Sequence, residues 1–265
     1  AAPEPYTDNI NNSVVYFADD GADTITMTGT NAHAFGEEGN DYITMSGLDS
    51  RAVGGDGEDI IVMSGVNARA YGEAGADTIT ISGVNSRAYG GADDDTITIM
   101  GANSHAEGGS GNDTIFMQAA YGTAHGGDGN DTFRLDFTEA NIYGGAGYDT
   151  AILNNTGVTF NMTQNYFVMR GIEAVHLNNG NKLSLNLQQI FEMTEPGNHA
   201  LEILVPAGSG ILYLDTTDMT ISGAATTGSV TDIGDVTYTG QFNGQTVTLV
   251  VDQGSGSTGV VINPI

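Results

Sequence analysis

The chain has 265 residues, 33 Asp plus Glu against 6 Lys plus Arg, a formal net charge of −27 and 39% hydrophobic residues. That balance excludes nucleic acid and anionic membranes as default partners, and leaves a cation binder, a highly solvated surface protein or an adaptation to high salt. Without cysteine there is neither a disulfide framework nor a thiolate metal site, and no apolar run approaches the roughly 18 residues that span a bilayer.

The start, AAPEPYTDN, is neither basic nor apolar and does not read as a signal peptide. The expectation is a mature product, a piece of a longer protein, or a chain exported without an N-terminal signal. Residues 1–17 read as an N-terminal cap. Within it VVYF puts Tyr16 in a column otherwise held by alanine, as a plug for one end of a thin core.

Residues 18–153 carry a strict repeat. Asp23, Asp41, Asp59, Asp77, Asp95, Asp113, Asp131 and Asp149 follow one another at 18-residue steps without insertion. Such a period means one coil per repeat, each stacked on the last. Eighteen residues are too few for a helical hairpin and suit two short strands with two tight turns. Two residues after each Asp stand Ile25, Ile43, Ile61, Ile79, Ile97, Ile115, Phe133 and Ala151. Two further on stand Met27, Met45, Met63, Ile81, Ile99, Met117, Leu135 and Leu153, with mostly threonine between. This period-two alternation reads as a strand. A second strand centres on Ala34, Ala52, Ala70, Ala88, Ala106, Ala124 and Ile142. Large residues on one wall therefore face small ones on the other, and Ile142 is expected to plug the far end. The fold class is all-β: a right-handed parallel β-roll, or β-solenoid, of about eight coils.

A glycine-rich turn precedes each periodic Asp, as in GGDGED (54–59), GGSGND (108–113), GGDGND (126–131) and GGAGYD (144–149). Coils about 4.8 Å apart stack the carboxylates into a ladder. Each neighbouring pair repels by roughly 1 kcal/mol in water and about 3–4 kcal/mol at an effective dielectric near 20. No Lys or Arg in these turns offsets that, so the ladder calls for a cation. Calcium takes six to eight oxygens in flexible geometry and accepts backbone carbonyls. Zinc would want His or Cys, which these turns lack, and magnesium a stricter octahedron. A plain solvated acidic edge is the alternative.

The turns resemble the Gly-Gly-x-Gly-x-Asp-x-aliphatic-x nonapeptide of RTX (repeats-in-toxin) proteins, which form calcium-dependent parallel β-rolls. Motif and period agree over about half the chain. The resemblance implies ions between successive turns. One turn supplies its second- and fourth-position carbonyls and its Asp, and the next supplies its first- and third-position carbonyls and its Asp. For one gap these are Glu37, Gly39 and Asp41 with Gly54, Asp56 and Asp59. Carried along the edge, the candidate ligands beside the eight aspartates are Gly36, Glu38, Gly55, Gly57, Gly72, Glu73, Ala74 and Gly75. Gly90, Gly91, Ala92, Gly108, Gly109, Ser110 and Gly111 follow, then Gly126, Gly127, Asp128, Gly129, Gly144 and Ala146. Eight turns leave seven gaps, so up to about seven Ca2+ are expected. The first turn, ADDGAD, lacks both leading glycines, and the fifth, GGADDD, has Asp93 where glycine is expected; both sites are expected to be weak or altered. Glu37 and Glu73 replace the second glycine, which a carbonyl ligand tolerates.

The opposite turns read MSGLDSRAV, MSGVNARAY, ISGVNSRAY and IMGANSHAE, with Ser50, Ala68, Ser86 and Ser104 where the family has Asp. No calcium is expected there. Asn67, Asn85 and Asn103, with Asn31 and Asp49 in the same column, suggest a side-chain amide ladder supporting the turns. Beyond them His33, Arg51, Arg69, Arg87 and His105 form one outward column, with Tyr71 and Tyr89 two residues on. This reads either as charge balance with guanidinium–aromatic stacking or as a docking strip for an acidic partner or glycan. The other outer wall is rich in threonine but interrupted by Tyr42, Ile60, Val62, Phe116 and Arg134, which makes an ice-binding array the lesser alternative.

Residues 154–265 read as short alternating strands with Gly/Asn turns and one short helix near Leu187 to Met193. Gly171-Ile172-Glu173 with Val175 and Leu177, the Gly180-Asn181-x-Leu183-x-Leu185 run and the Thr-Leu-x-Val-Asp ending at Asp252 resemble the module that often follows RTX repeats in type I-secreted bacterial surface proteins and adhesins. The resemblance implies a β-rich capping and secretion-associated module, and a place outside the cell or on a bacterial surface. No Ser-His-Asp grouping, phosphate loop or separate carboxylate pair appears, so the expected function is a non-catalytic, calcium-folded adhesin-type module. The rival readings are an accessory repeat module of a larger secreted enzyme and a self-assembling surface-layer or filament protein. Expected partners are calcium ions, a glycan or protein ligand on the outer walls and a second copy of the chain, with no nucleic acid and no membrane insertion.

Overall fold

The computed structural model describes residues 5–8, 13–137, 139–154, 159–162, 167–178, 181–185, 187–194, 200–204, 210–214, 219–222, 236–243 and 245–252. The chain is all-β, a parallel β-solenoid of about eight coils with 18-residue spacing. It divides into two compact units, Ala1–Thr132 and Phe133–Ile265.

In the first unit two parallel sheets form the walls of each coil. One stacks the four-residue strands Thr24–Met27, Tyr42–Met45, Ile60–Met63, Thr78–Ile81, Thr96–Ile99 and Thr114–Met117. Their register is an exact 18-residue offset: Ile25 pairs with Ile43, Ile43 with Ile61, Ile61 with Ile79. The other sheet stacks Val15–Phe17, His33–Glu38, Arg51–Asp56, Arg69–Ala74, Arg87–Ala92, His105–Ser110 and Gly122–Asp128. The strand Pro5–Asp8 adds a further rung beside Thr24–Met27.

The alternation places the interior where the sequence reading put it. The Ile and Met columns and the facing alanines Ala34, Ala52, Ala70, Ala88, Ala106 and Ala124 are all buried. An isoleucine so enclosed contributes about 1.5–3 kcal/mol relative to exposure. Alanine on the far wall lets the sheets approach closely, and the same alternation leaves the intervening threonines outward. Tyr16 does lie in the alanine column, opposite Ala34, and is half-buried.

In the second unit parallel stacking continues after the 18-residue rhythm has ended. Thr150–Leu153 pairs with Ala174–Leu177, which pairs with Ala200–Leu204, which pairs with Gln245–Asp252, all parallel. Val236–Phe242 and Met219–Ser222 then add antiparallel strands. Ile142 is not a plug. It is fully buried and pairs with Met169, so the core runs on past it. A three-stranded parallel sheet joins Thr159–Asn161, Asn181–Leu185 and Gly210–Leu214. Among the described residues one short helix spans Leu187–Met193, as expected from the sequence, and buries Ile190 and Met193. Gly180 and the segment after Asp252 lie outside the described residues. No helix among the described residues is long and apolar enough to cross a membrane.

Candidate metal centre

The periodic aspartates close each coil just before the four-residue strand. Asp23, Asp41, Asp59, Asp77, Asp95, Asp113 and Asp131 are each at most 3% exposed. Their carboxylates sit under the turn, not out in solvent, so a solvated acidic edge does not describe them. Each is held by one repeated bond. The Asp23 N–H donates to Oδ1 of Asp41 at 2.7 Å, and the same bond runs from Asp41 to Asp59, Asp59 to Asp77, Asp77 to Asp95, Asp95 to Asp113 and Asp113 to Asp131 at 2.7–2.8 Å.

The second oxygen is the informative one. Oδ2 of Asp41, Asp59, Asp77, Asp95 and Asp113 is buried without a hydrogen-bond partner. A buried ionised carboxylate with half its lone pairs unmet is costly. Burial accordingly pushes Asp59 and Asp113 up to about 6 and Asp77 and Asp95 up to about 7. Asp41 and Asp131 are raised for the same reason, the backbone hydrogen bond opposing the shift and a neighbouring aspartate adding to it.

Backbone carbonyls face the same gaps. A Cβ at Gly55 would strike the Glu37 carbonyl, and one at Gly57 the Gly39 carbonyl. The second- and fourth-position carbonyls thus aim forward at the next coil. A Cβ at Gly36 would strike both Oδ2 of Asp41 and the Gly54 carbonyl, so the first-position carbonyl aims back beside the unpaired oxygen. Gly72, Gly90 and Gly108 repeat this with Asp77, Asp95 and Asp113. Third-position carbonyls also turn back, and accept backbone bonds: Gly39 N–H to Asp56 and Gly57 N–H to Ala74, at 2.7 and 2.8 Å. These positions need glycine because a side chain would occupy the gap. Where it is missing the turn survives: Glu37, Glu73 and Asp93 take φ of 75°, 85° and 77°, a left-handed conformation that is strained for a side chain.

Among the described residues no group of three or more His, Asp or Glu side chains converges on one point. The donor set is instead two carboxylates per gap with several carbonyls, all oxygen. That chemistry suits a hard cation of high coordination number such as calcium, and neither zinc nor a thiophilic metal.

Asp149 belongs to the second unit, and there the ladder acquires a member that periodicity does not reveal. The Asp149 N–H donates to Oε2 of Glu173 at 2.9 Å, and Glu173 is buried. A Cβ at Gly144 would strike the Gly171 carbonyl and Oδ2 of Asp149. Gly171 and Glu173 therefore stand as the first and last residues of a turn shortened to three. The signal in sequence was Gly-Ile-Glu after a strand, without the spacing that would mark it.

On the opposite edge hydroxyls replace the carboxylates. Ala68 N–H donates to Oγ of Ser86 and Ser86 N–H to Oγ of Ser104, both at 3.0 Å. Ser86 and Ser104 in turn donate to the Gly65 and Gly83 carbonyls at 3.2 Å. The asparagine column has a different main task from the amide ladder expected. Asn31, Asp49, Asn67, Asn85 and Asn103 all take φ of 54–57°, which Asn and Asp tolerate best among residues with a Cβ. One amide contact, Asn67 to Asp49 at 2.9 Å, is present. A further ladder lies at the fifth turn position, where Glu58 N–H donates to Asn40 and Asn112 N–H to Asp94.

No protein-family profile, curated protein or solved structure matches this chain.

Proposed function

We propose that the chain is a calcium-binding, calcium-folded β-roll module of the RTX type, non-catalytic, carried by a secreted bacterial surface or adhesin-type protein. The observation that carries this is the row of buried Asp Oδ2 atoms facing backbone carbonyls between coils. Asp41 and Asp59, with the carbonyls of Glu37, Gly39, Gly54 and Asp56, would hold one ion, and each further gap in the first unit repeats the set. A bound divalent cation supplies the charge that the buried ladder lacks. The chain's own part is to fix Oδ1 on the preceding coil and turn the carbonyls inward, so that coordination adds to stacking.

At low calcium, as inside a cell, ladder repulsion and desolvation oppose coiling and keep the chain exportable. Outside, binding and folding are linked, because the sites exist only when coils stack. The test is far-UV circular dichroism of the chain through a calcium titration at pH 7.5, with calorimetry for stoichiometry. β signal should rise cooperatively with several ions bound per chain. An unchanged β signal after full chelation would refute the proposal.

A further inference from the structure

The second sheet carries a charge arrangement that the calcium edge does not explain. Arg51, Arg69 and Arg87 are half of the chain's 6 basic residues. They stand in register on adjacent strands, flanked by His33 and His105 in the same row. Adjacent strands lie about 4.8 Å apart, so three like charges are stacked at close range. The chain has 33 carboxylates, yet no described one forms an ion pair with any of the three. A direct ion pair is therefore not what places them, although Glu107 lies 3.9 Å from His105 at the end of the row.

One member of the row, Arg51, is held by aromatic rings. The Arg51 guanidinium lies over the Tyr71 ring at 4.6 Å and the Phe35 ring at 5.4 Å, while Tyr71 stacks on Tyr89 at 4.9 Å. Stacking holds a guanidinium flat and leaves its N–H edge outward for planar anions. Arg69 and Arg87 are exposed. Beside Arg87 a shallow cleft is lined by Asn85, Tyr89, Asn103 and His105. These side chains both donate and accept hydrogen bonds, as sugar hydroxyls require.

We propose that this face docks an extended acidic polysaccharide, with sugar carboxylates on successive guanidiniums and hydroxyls on the amide and imidazole groups of the cleft. An acidic peptide fits less well. These strands are already paired on both sides, so a peptide could not gain the main-chain bonds of an added strand and would have the guanidiniums alone, without use for the paired donors and acceptors of the cleft.

The test uses the full chain in calcium and an immobilised short oligogalacturonate, with its methyl ester and poly-glutamate as comparators. Far-UV circular dichroism verifies that each variant folds. The acid form should bind, the methyl ester should not, and poly-glutamate should bind more weakly. Arg69→Ala and Arg87→Ala should each lower affinity roughly tenfold, the scale of one charge-assisted hydrogen bond. Arg69→Lys and Arg87→Lys should recover only part of it, since the planar fork is lost. Glu58→Gln on the aspartate edge should leave binding unchanged. Three results would overturn the proposal: no preference for acid over ester, poly-glutamate binding as tightly, or arginine variants that bind like the parent chain.

Discussion

The behaviour of a single periodic aspartate is set by its two oxygens. In Asp77, Oδ1 accepts the Asp59 N–H, a bond that an amide oxygen can also accept, though without the carboxylate's charge. Oδ2 lies buried where a Cβ on Gly72 and the carbonyl of Gly90 would meet. Asp77→Asn keeps the first contact, offers an N–H to that carbonyl and removes a buried charge. The substitution should stabilise the metal-free coil by about 1–3 kcal/mol. It should also reduce calcium stoichiometry by up to two, because Asp77 borders two gaps. In chelator the pH at which β signal is lost should rise in the variant, and calorimetric ion counting checks the second half; a lost ion with that pH unchanged would show that the charge was not the cost.

At the level of the element, the two edges solve one problem in two ways. Each coil must satisfy a buried N–H where the chain leaves a turn. The acidic edge uses a carboxylate oxygen and keeps a charge, while the opposite edge uses a serine hydroxyl that also donates onward. A hydroxyl is neutral, so that edge carries no buried charge for a cation to offset. Ser86→Ala should then cost about 1–3 kcal/mol, the penalty for an unmet buried donor, with calcium stoichiometry unchanged. The melting temperature in saturating calcium and an ion count read out the two predictions separately. Ala68 already stands in this column, so the roll tolerates such a gap at one rung.

Across the whole molecule, the raised aspartates link folding to pH. Their folded pKa values, about 6 to 7 for Asp59, Asp77, Asp95 and Asp113, exceed the ordinary 3.8. Between those values the folded chain holds protons that the unfolded chain has released. Metal-free stability is therefore greatest near or below pH 4 and falls as pH rises through 6 to 7. In chelator, β signal should be present at pH 5 and lost by pH 8. In calcium β signal should persist at pH 8 as well, and the stability gained on adding calcium should be larger at pH 8 than at pH 5, where protons compete for the ligands. A chelated sample equally folded at both pH values would contradict the account.

Much of this was legible in the sequence because an uninterrupted 18-residue period makes register a matter of counting. Asp23 to Asp131, the Ile and Met columns and the alanine wall are stacked as counted, since a one-residue slip would turn every interior side chain outward. Glu173 was not legible. It lies 24 residues beyond Asp149, and only the pairing of Thr150 with Ala174 brings it onto the ladder. Nor was the hydroxyl ladder, because serine in a turn column reads as the absence of aspartate until its partners are known. By itself the sequence determined a coiled all-β architecture and the column on which charge accumulates. Only the tertiary structure decided that the carboxylates are buried with one oxygen bonded and the other facing carbonyls. Burial and direction depend on how adjacent coils close over each other, which spacing along a chain does not encode.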